Sequence, residues 1–165
     1  MHATYKNALM WTLYGALFLL LTVVQTVIFG RTLFFGVKLS LIPVCVACVA
    51  MHCGAENGAL YGLCCGTFWC FTGTGGGALH IALLTICGAI IGYLCDRYLI
   101  RQFVSALLMC LLALLICQSV LFLFQCYLGA VGLRGILQLP IQIGLSLAAC
   151  PLLYLCAWAI RKVGA

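Results

Sequence analysis

The sequence predicts an all-α integral membrane protein folded as one compact bundle of about six transmembrane helices. Three observations predict it. Of 165 residues, 67% are hydrophobic and 6% are charged, whereas a soluble domain sets roughly a quarter of its residues as charges against water. The charges fall between long apolar runs, not within them. The runs themselves have membrane length, because a hydrocarbon core about 30 Å thick takes about 20 helical residues. Residues 1–165 suit a single transmembrane domain and leave no room for a sizeable soluble one.

The first run covers 7–30. It is too long for a signal-peptide core and lacks a small-x-small cleavage site, so it reads as a retained helix. Arg31 and Lys38 bound a short loop. The second run, 39–53, is short for a full crossing, which leaves it tilted, buried or partly re-entrant. Pro43 suits its first turn, where a missing N–H costs little. The third run, 57–72, follows Glu56 closely and forms a hairpin with the second. The glycine-rich stretch 72–77 is a flexible break; without a GK[ST] ending it is no phosphate loop. The fourth helix is 78–95, followed by the charged loop of Asp96, Arg97 and Arg101. The fifth is 104–128, and 129–135, with three glycines and Arg134, is a turn. The sixth is 139–160, with Pro140 near its start and Pro151 kinking it midway.

An even count puts both termini on one side. Lys6, Arg97, Arg101, Arg161 and Lys162 then share that side, against Arg31, Lys38 and Arg134 on the other. The positive-inside rule places both termini in the cytoplasm. Tyr5, Trp11, Tyr93, Tyr98, Tyr127 and Trp158 fall near helix ends, where aromatic belts belong. The net charge of +6 is spread through the loops and makes no basic face for nucleic acid.

The clearest pattern is Gly54, Gly58, Gly62 and Gly66, whose four-residue spacing lines one side of a helix. Gly88 and Gly92 repeat it in the fourth helix. Such a face lets another backbone approach closely, either within the chain or from a partner membrane subunit. Glu56 and Asp96 are the only side-chain carboxylates. Glu56 stands at a helix start, where negative charge is favoured. His80 is an ionisable group in an apolar setting, a candidate for function or for a hydrogen bond in the packing. Gln25, Gln118, Gln125, Gln138 and Gln142 are placed to bond between helices. Most of the thirteen cysteines lie in apolar runs, where a thiol packs as a small hydrophobe. Cys45 and Cys48, with His52 and Cys53 nearby, are the one candidate ligand group. No second cysteine pair follows at zinc-site spacing, so no metal is expected. No Ser–His–acid trio is identifiable, no intramembrane carboxylate marks a pump, and no motif implies a cofactor.

The order of several features resembles the rod shape-determining MreD family. They are Gln25-Thr26-Val27, then Phe35-Gly36-Val37 and Pro43, then Gly58-Ala59-Leu60-Tyr61-Gly62-Leu63-Cys64-Cys65-Gly66. The glycine-rich turn follows, then Ala78-Leu79-His80 through Gly88-Ala89-Ile90-Ile91-Gly92-Tyr93-Leu94. The likeness covers residues 10–100 or so. Cys70 departs from it, standing where MreD-like sequences often carry Asp. The resemblance implies a non-enzymatic subunit of the bacterial cell-elongation (rod) complex, in the plasma membrane, without a cofactor. It implies an MreC-like partner and, through it, MreB-like filaments and the wall synthases of lateral peptidoglycan synthesis. It also implies a fold similar to the S components of energy-coupling-factor transporters. The alternative is therefore a vitamin-binding S component itself. Such subunits often dock through an A-x3-A patch in the first helix, which 7–30 lacks. Trp69, Phe71, His80 and Gln25 are its candidate pocket residues.

Overall fold

The computed structural model describes residues 2–28, 40–71, 77–98, 102–129 and 138–164. The predicted loop 31–38, residues 72–76 of the predicted break at 72–77, residues 130–135 of the predicted turn at 129–135, and Arg101 lie outside the described residues. Helices are the only regular elements among those described.

Helix α1 (His2–Val23) continues into a π-helical turn, Val24–Ile28. The hydroxyls of Thr22 and Thr26 donate to the carbonyls of Phe18 and Thr22, at 2.9 and 2.7 Å. Both are thus satisfied within the helix, as an apolar solvent demands.

Helix α2 (Ile42–Cys53) has 12 residues, and Ile42 through His52 are all buried. At about 18 Å it is too short to cross the hydrocarbon. Its apolar residues point in every direction, which suits a helix enclosed all round. It packs against α1 and against four of the helices that follow it in the chain. A buried helix start needs partners for its leading N–H groups. The Ser40 N–H donates to Ser146 Oγ at 3.1 Å, and the Leu41 N–H to Gln25 Oε1 at 3.2 Å. Pro43 brings no N–H to satisfy.

A one-residue elbow at Gly54, φ 89°, turns the chain into α3 (Ala55–Phe71). Only glycine adopts that backbone without strain. Helices α4 (Ala78–Arg97) and α5 (Phe103–Tyr127) follow. The sixth apolar run is two helices, α6 (Gln138–Leu147) and α7 (Cys150–Gly164), bent by 41° across 148–149. Pro151 explains the break: it has no N–H for the Leu147 carbonyl, and its ring crowds that oxygen.

Three helices are long and apolar enough to cross a membrane: Lys6–Val27, Ala78–Arg97 and Phe103–Tyr127. The bent pair Leu139–Leu147 and Cys150–Lys162 makes a fourth if taken as one crossing. The chain is a helical membrane protein. Its core includes the buried Tyr14, Val44, Leu84, Ile91, Leu114 and Leu153, from α1, α2, α4, α5 and α7. Leu20, Leu60, Leu108, Leu123 and Leu152 face outward as lipid-compatible surface.

Candidate functional site

Among the described residues, the α3–α4 hairpin is the most extensive helix pairing. Gly58, Gly62 and Gly66 of α3 and Gly88 and Gly92 of α4 are buried in it. A Cβ at Gly58 would lie 2.8 Å from the Gly88 carbonyl oxygen, and one at Gly66 would lie 2.8 Å from Ile81 Cα. At Gly92 it would lie 2.6 Å from Ala55 Cα; at Gly62 and Gly88 it would meet the backbones of Leu84 and Gly58. The absent side chains let two backbones touch. This face is turned on the chain itself. Gly54 is not part of the helical stripe but forms the elbow before it, and a Cβ there would lie 2.8 Å from Asp96 Oδ2. The end of α4 therefore covers the elbow, bringing the Asp96 and Glu56 segments to one end of the bundle. Glu56 is exposed in the first turn of α3, where the helix N-terminus favours its charge.

Inside the bundle, polar side chains tie helices together. The Tyr61 hydroxyl donates to the Tyr14 carbonyl at 3.1 Å, and the Cys45 sulfur lies 3.5 Å from the Tyr61 oxygen. With the Tyr61 proton committed, the Cys45 thiol is the donor to that oxygen. The Tyr14 hydroxyl in turn donates to the Ala157 carbonyl at 3.3 Å. One network thus links α1, α2, α3 and α7. Sequence reasoning singled out neither tyrosine for this role. The available signal was their position: both sit away from helix ends, where a buried hydroxyl needs a partner.

His80 is buried in the first turn of α4, its N–H donating to the Gly77 carbonyl at 3.1 Å. Its Nδ1 has no hydrogen-bond partner among the described residues. His80 lies at the opposite end of α4 from Asp96, about 24 Å along the helix. His52 stacks near the Tyr154 ring, centroids 5.3 Å apart. Of the pocket candidates, Gln25 is engaged at the start of α2. Phe71 stands 91% exposed while Trp69 and His80 are buried. Cys70, the departure from the MreD-like pattern, is half-buried in the last turn of α3.

No disulfide joins the thirteen cysteines among the described residues. The Cys45–Cys48 pair does not act as a unit. Cys45 meets Tyr61, whereas Cys48 Sγ lies 3.6 Å from Cys110 Sγ. Among the described residues, one group of three potential metal ligands assembles: Cys48, Cys110 and Cys150. Cys45, His52 and Cys53 are not in it. Cys87 and Cys117 form a separate close pair, Sγ to Sγ 3.6 Å.

Compared with family models, curated proteins and solved structures, the chain has no match.

Proposed function

We propose that the chain is a non-enzymatic, MreD-like subunit of the bacterial cell-elongation complex. It would bind an MreC-like protein and, through it, support MreB-like filaments and the wall synthases that preserve rod shape. The observation that supports this reading is how the MreD-like stretch packs. Its short second segment is enclosed on all sides, and its glycine motifs lock the following hairpin. Polar groups there, the buried Cys45 and Tyr61 and the half-buried Gln25, are engaged in bonds between helices. This is a rigid scaffold, with surface left over for partners. On this reading the glycines support partner binding by holding the hairpin, not by touching the partner.

Counting α6 and α7 as one broken pass makes six segments, the number expected of an S-component-like bundle. The internal contacts suggest an orientation for it. Gln25, at the end of α1, meets the start of α2. Tyr14, two turns beyond Lys6, meets Tyr61 and Ala157. Lys6, the Gly54 elbow, Arg97, Arg161 and Lys162 then share one end. Two of these cations lie over aromatic rings, Arg97 over Tyr93 at 5.6 Å and Lys162 over Trp158 at 5.2 Å. That end is cytoplasmic by the positive-inside rule, with both termini on it and the protein in the plasma membrane.

The test is affinity purification in mild detergent from a rod-shaped bacterial host, paired with depletion. An MreC-like protein should co-purify, and depleted cells should become round. Unchanged shape and wall synthesis after clean depletion would overturn the proposal. Tight vitamin binding by the purified chain would replace it with the transporter reading.

A further inference from the structure

The thiols at the centre of the bundle carry an inference independent of the elongation-complex reading. Cys48 of α2, Cys110 of α5 and Cys150 of α7 are each at most 1% exposed. Their three sulfurs lie within 4.8 Å of one another. Cys48 and Cys110, 62 residues apart in the chain, are at 3.6 Å. We propose that these three cysteines form a binding site for a soft, thiophilic monovalent metal ion, Cu(I), held by three sulfurs.

The spacing suits it. Metal–sulfur bonds of about 2.3 Å hold ligand sulfurs roughly 4 Å apart, so the triangle closes on an ion with small side-chain rotations. The donor set selects the ion. Sulfur-only ligation disfavours magnesium and calcium, which take oxygen. Zinc structural sites and iron–sulfur clusters take four protein ligands, and no His, Asp or Glu joins this group among the described residues. Three sulfurs without a fourth donor leave a soft ion that accepts low coordination.

Because the thiolate is the strong metal ligand, Cu(I) binding releases protons from these thiols; loss of two leaves one net negative charge on the site. Cys150 opens α7 beside the 148–149 break. Broken helices are where membrane proteins commonly place ions. The close pair Cys87 and Cys117 has no third sulfur and no such helix end.

The test uses the full chain in detergent under anaerobic, reducing conditions, titrated with Cu(I) buffered by a bathocuproine chelator. One Cu(I) should bind per chain, with ultraviolet thiolate-to-copper absorption and an X-ray absorption spectrum fitting three sulfurs at roughly 2.3 Å. Cys48→Ala, Cys110→Ala and Cys150→Ala should each weaken binding at least about tenfold. Cys64→Ala and Cys87→Ala should leave it unchanged. Equal binding by the triple variant, or no binding by the wild type, overturns the proposal. If a variant loses monodispersity, the wild-type spectrum decides: two sulfurs, or sulfur mixed with oxygen or nitrogen, also overturns it.

Discussion

Replacing Gly92 with alanine tests whether the hairpin depends on backbone-to-backbone contact. The new Cβ would lie 2.6 Å from Ala55 Cα, Ala55 N and Gly54 C, while ordinary contact begins at 3.4 Å. All three atoms are main chain and none can rotate aside. The Gly54 elbow and α4 must therefore part by about 0.8 Å, loosening the Asp96 end of the hairpin as well. Overpacking of this kind costs about 1–3 kcal/mol, and a main-chain obstacle puts it near the top of that range. Alanine returns up to about 1 kcal/mol through helix propensity. A net loss of about 2 kcal/mol should lower the melting temperature by roughly 4–8 °C in a chain of this size. The assay is thermal unfolding in detergent, followed by tryptophan fluorescence and size-exclusion profile. Gly15→Ala is the control, because nothing lies within 4 Å of a Cβ there; it should melt at or slightly above the wild-type temperature. If Gly92→Ala melts with Gly15→Ala, the close-contact account of the glycine pattern is wrong.

The same assay reads five further substitutions. Tyr61→Phe removes the donor to the Tyr14 carbonyl and the acceptor for Cys45. It should cost about 0.6–1.7 kcal/mol, and adding Cys45→Ala should cost less in that background than alone; full additivity would mean the two do not interact. Gln25→Leu leaves the Leu41 N–H without its partner at the buried start of α2. A loss of about 1–3 kcal/mol is expected, and a wild-type melt would show that this contact is not made. Leu114→Ala, at a fully buried position of α5, should cost about 2–5 kcal/mol. Leu123→Ala, two-thirds exposed on the same helix, should stay within about 0.5 kcal/mol of wild type in detergent; equal losses would refute the assigned rotation of α5.

The helical class and the places where the chain breaks were legible because hydrocarbon admits only satisfied backbone. That one rule makes long uncharged runs into helices and short ones into enclosed segments. It anticipated that 39–53 would fall short of a plain crossing; the structure starts that helix at Ile42 and buries it. Pro151 announced the interruption of the last run, though not that two separate helices would result. Gly54 was misplaced for a definite reason. A one-residue elbow preserves the four-residue spacing, so Gly54 reads as the first member of a helical stripe. Its positive φ shows that it turns the chain instead.

The thiol triangle and the Tyr14–Tyr61 network were not legible, and the cause is again the solvent. In water, the polar face of a helix marks its outside, and the sequence period tells which residues turn inward. Here lipid and core are both apolar, so hydrophobicity carries no such signal for α5. What remains is size, because closely packed helices need small residues between them. The buried side of α5 reads Ala106, Met109, Cys110, Ala113, Leu114, Cys117 and Gln118, with alanine and cysteine at helical spacing. Cysteine serves in this chain as a small inward-facing residue: Cys45, Cys48, Cys65, Cys87, Cys95, Cys110, Cys117 and Cys150 are all buried. Helices α2, α5 and α7 each turn such a residue toward the others, which brings sulfurs together where their registers coincide. That packing rule accounts for the convergence at Cys48, Cys110 and Cys150 without any metal, so the number of sulfurs bound to added Cu(I), and its loss in the three variants, distinguishes a site from a by-product of close packing.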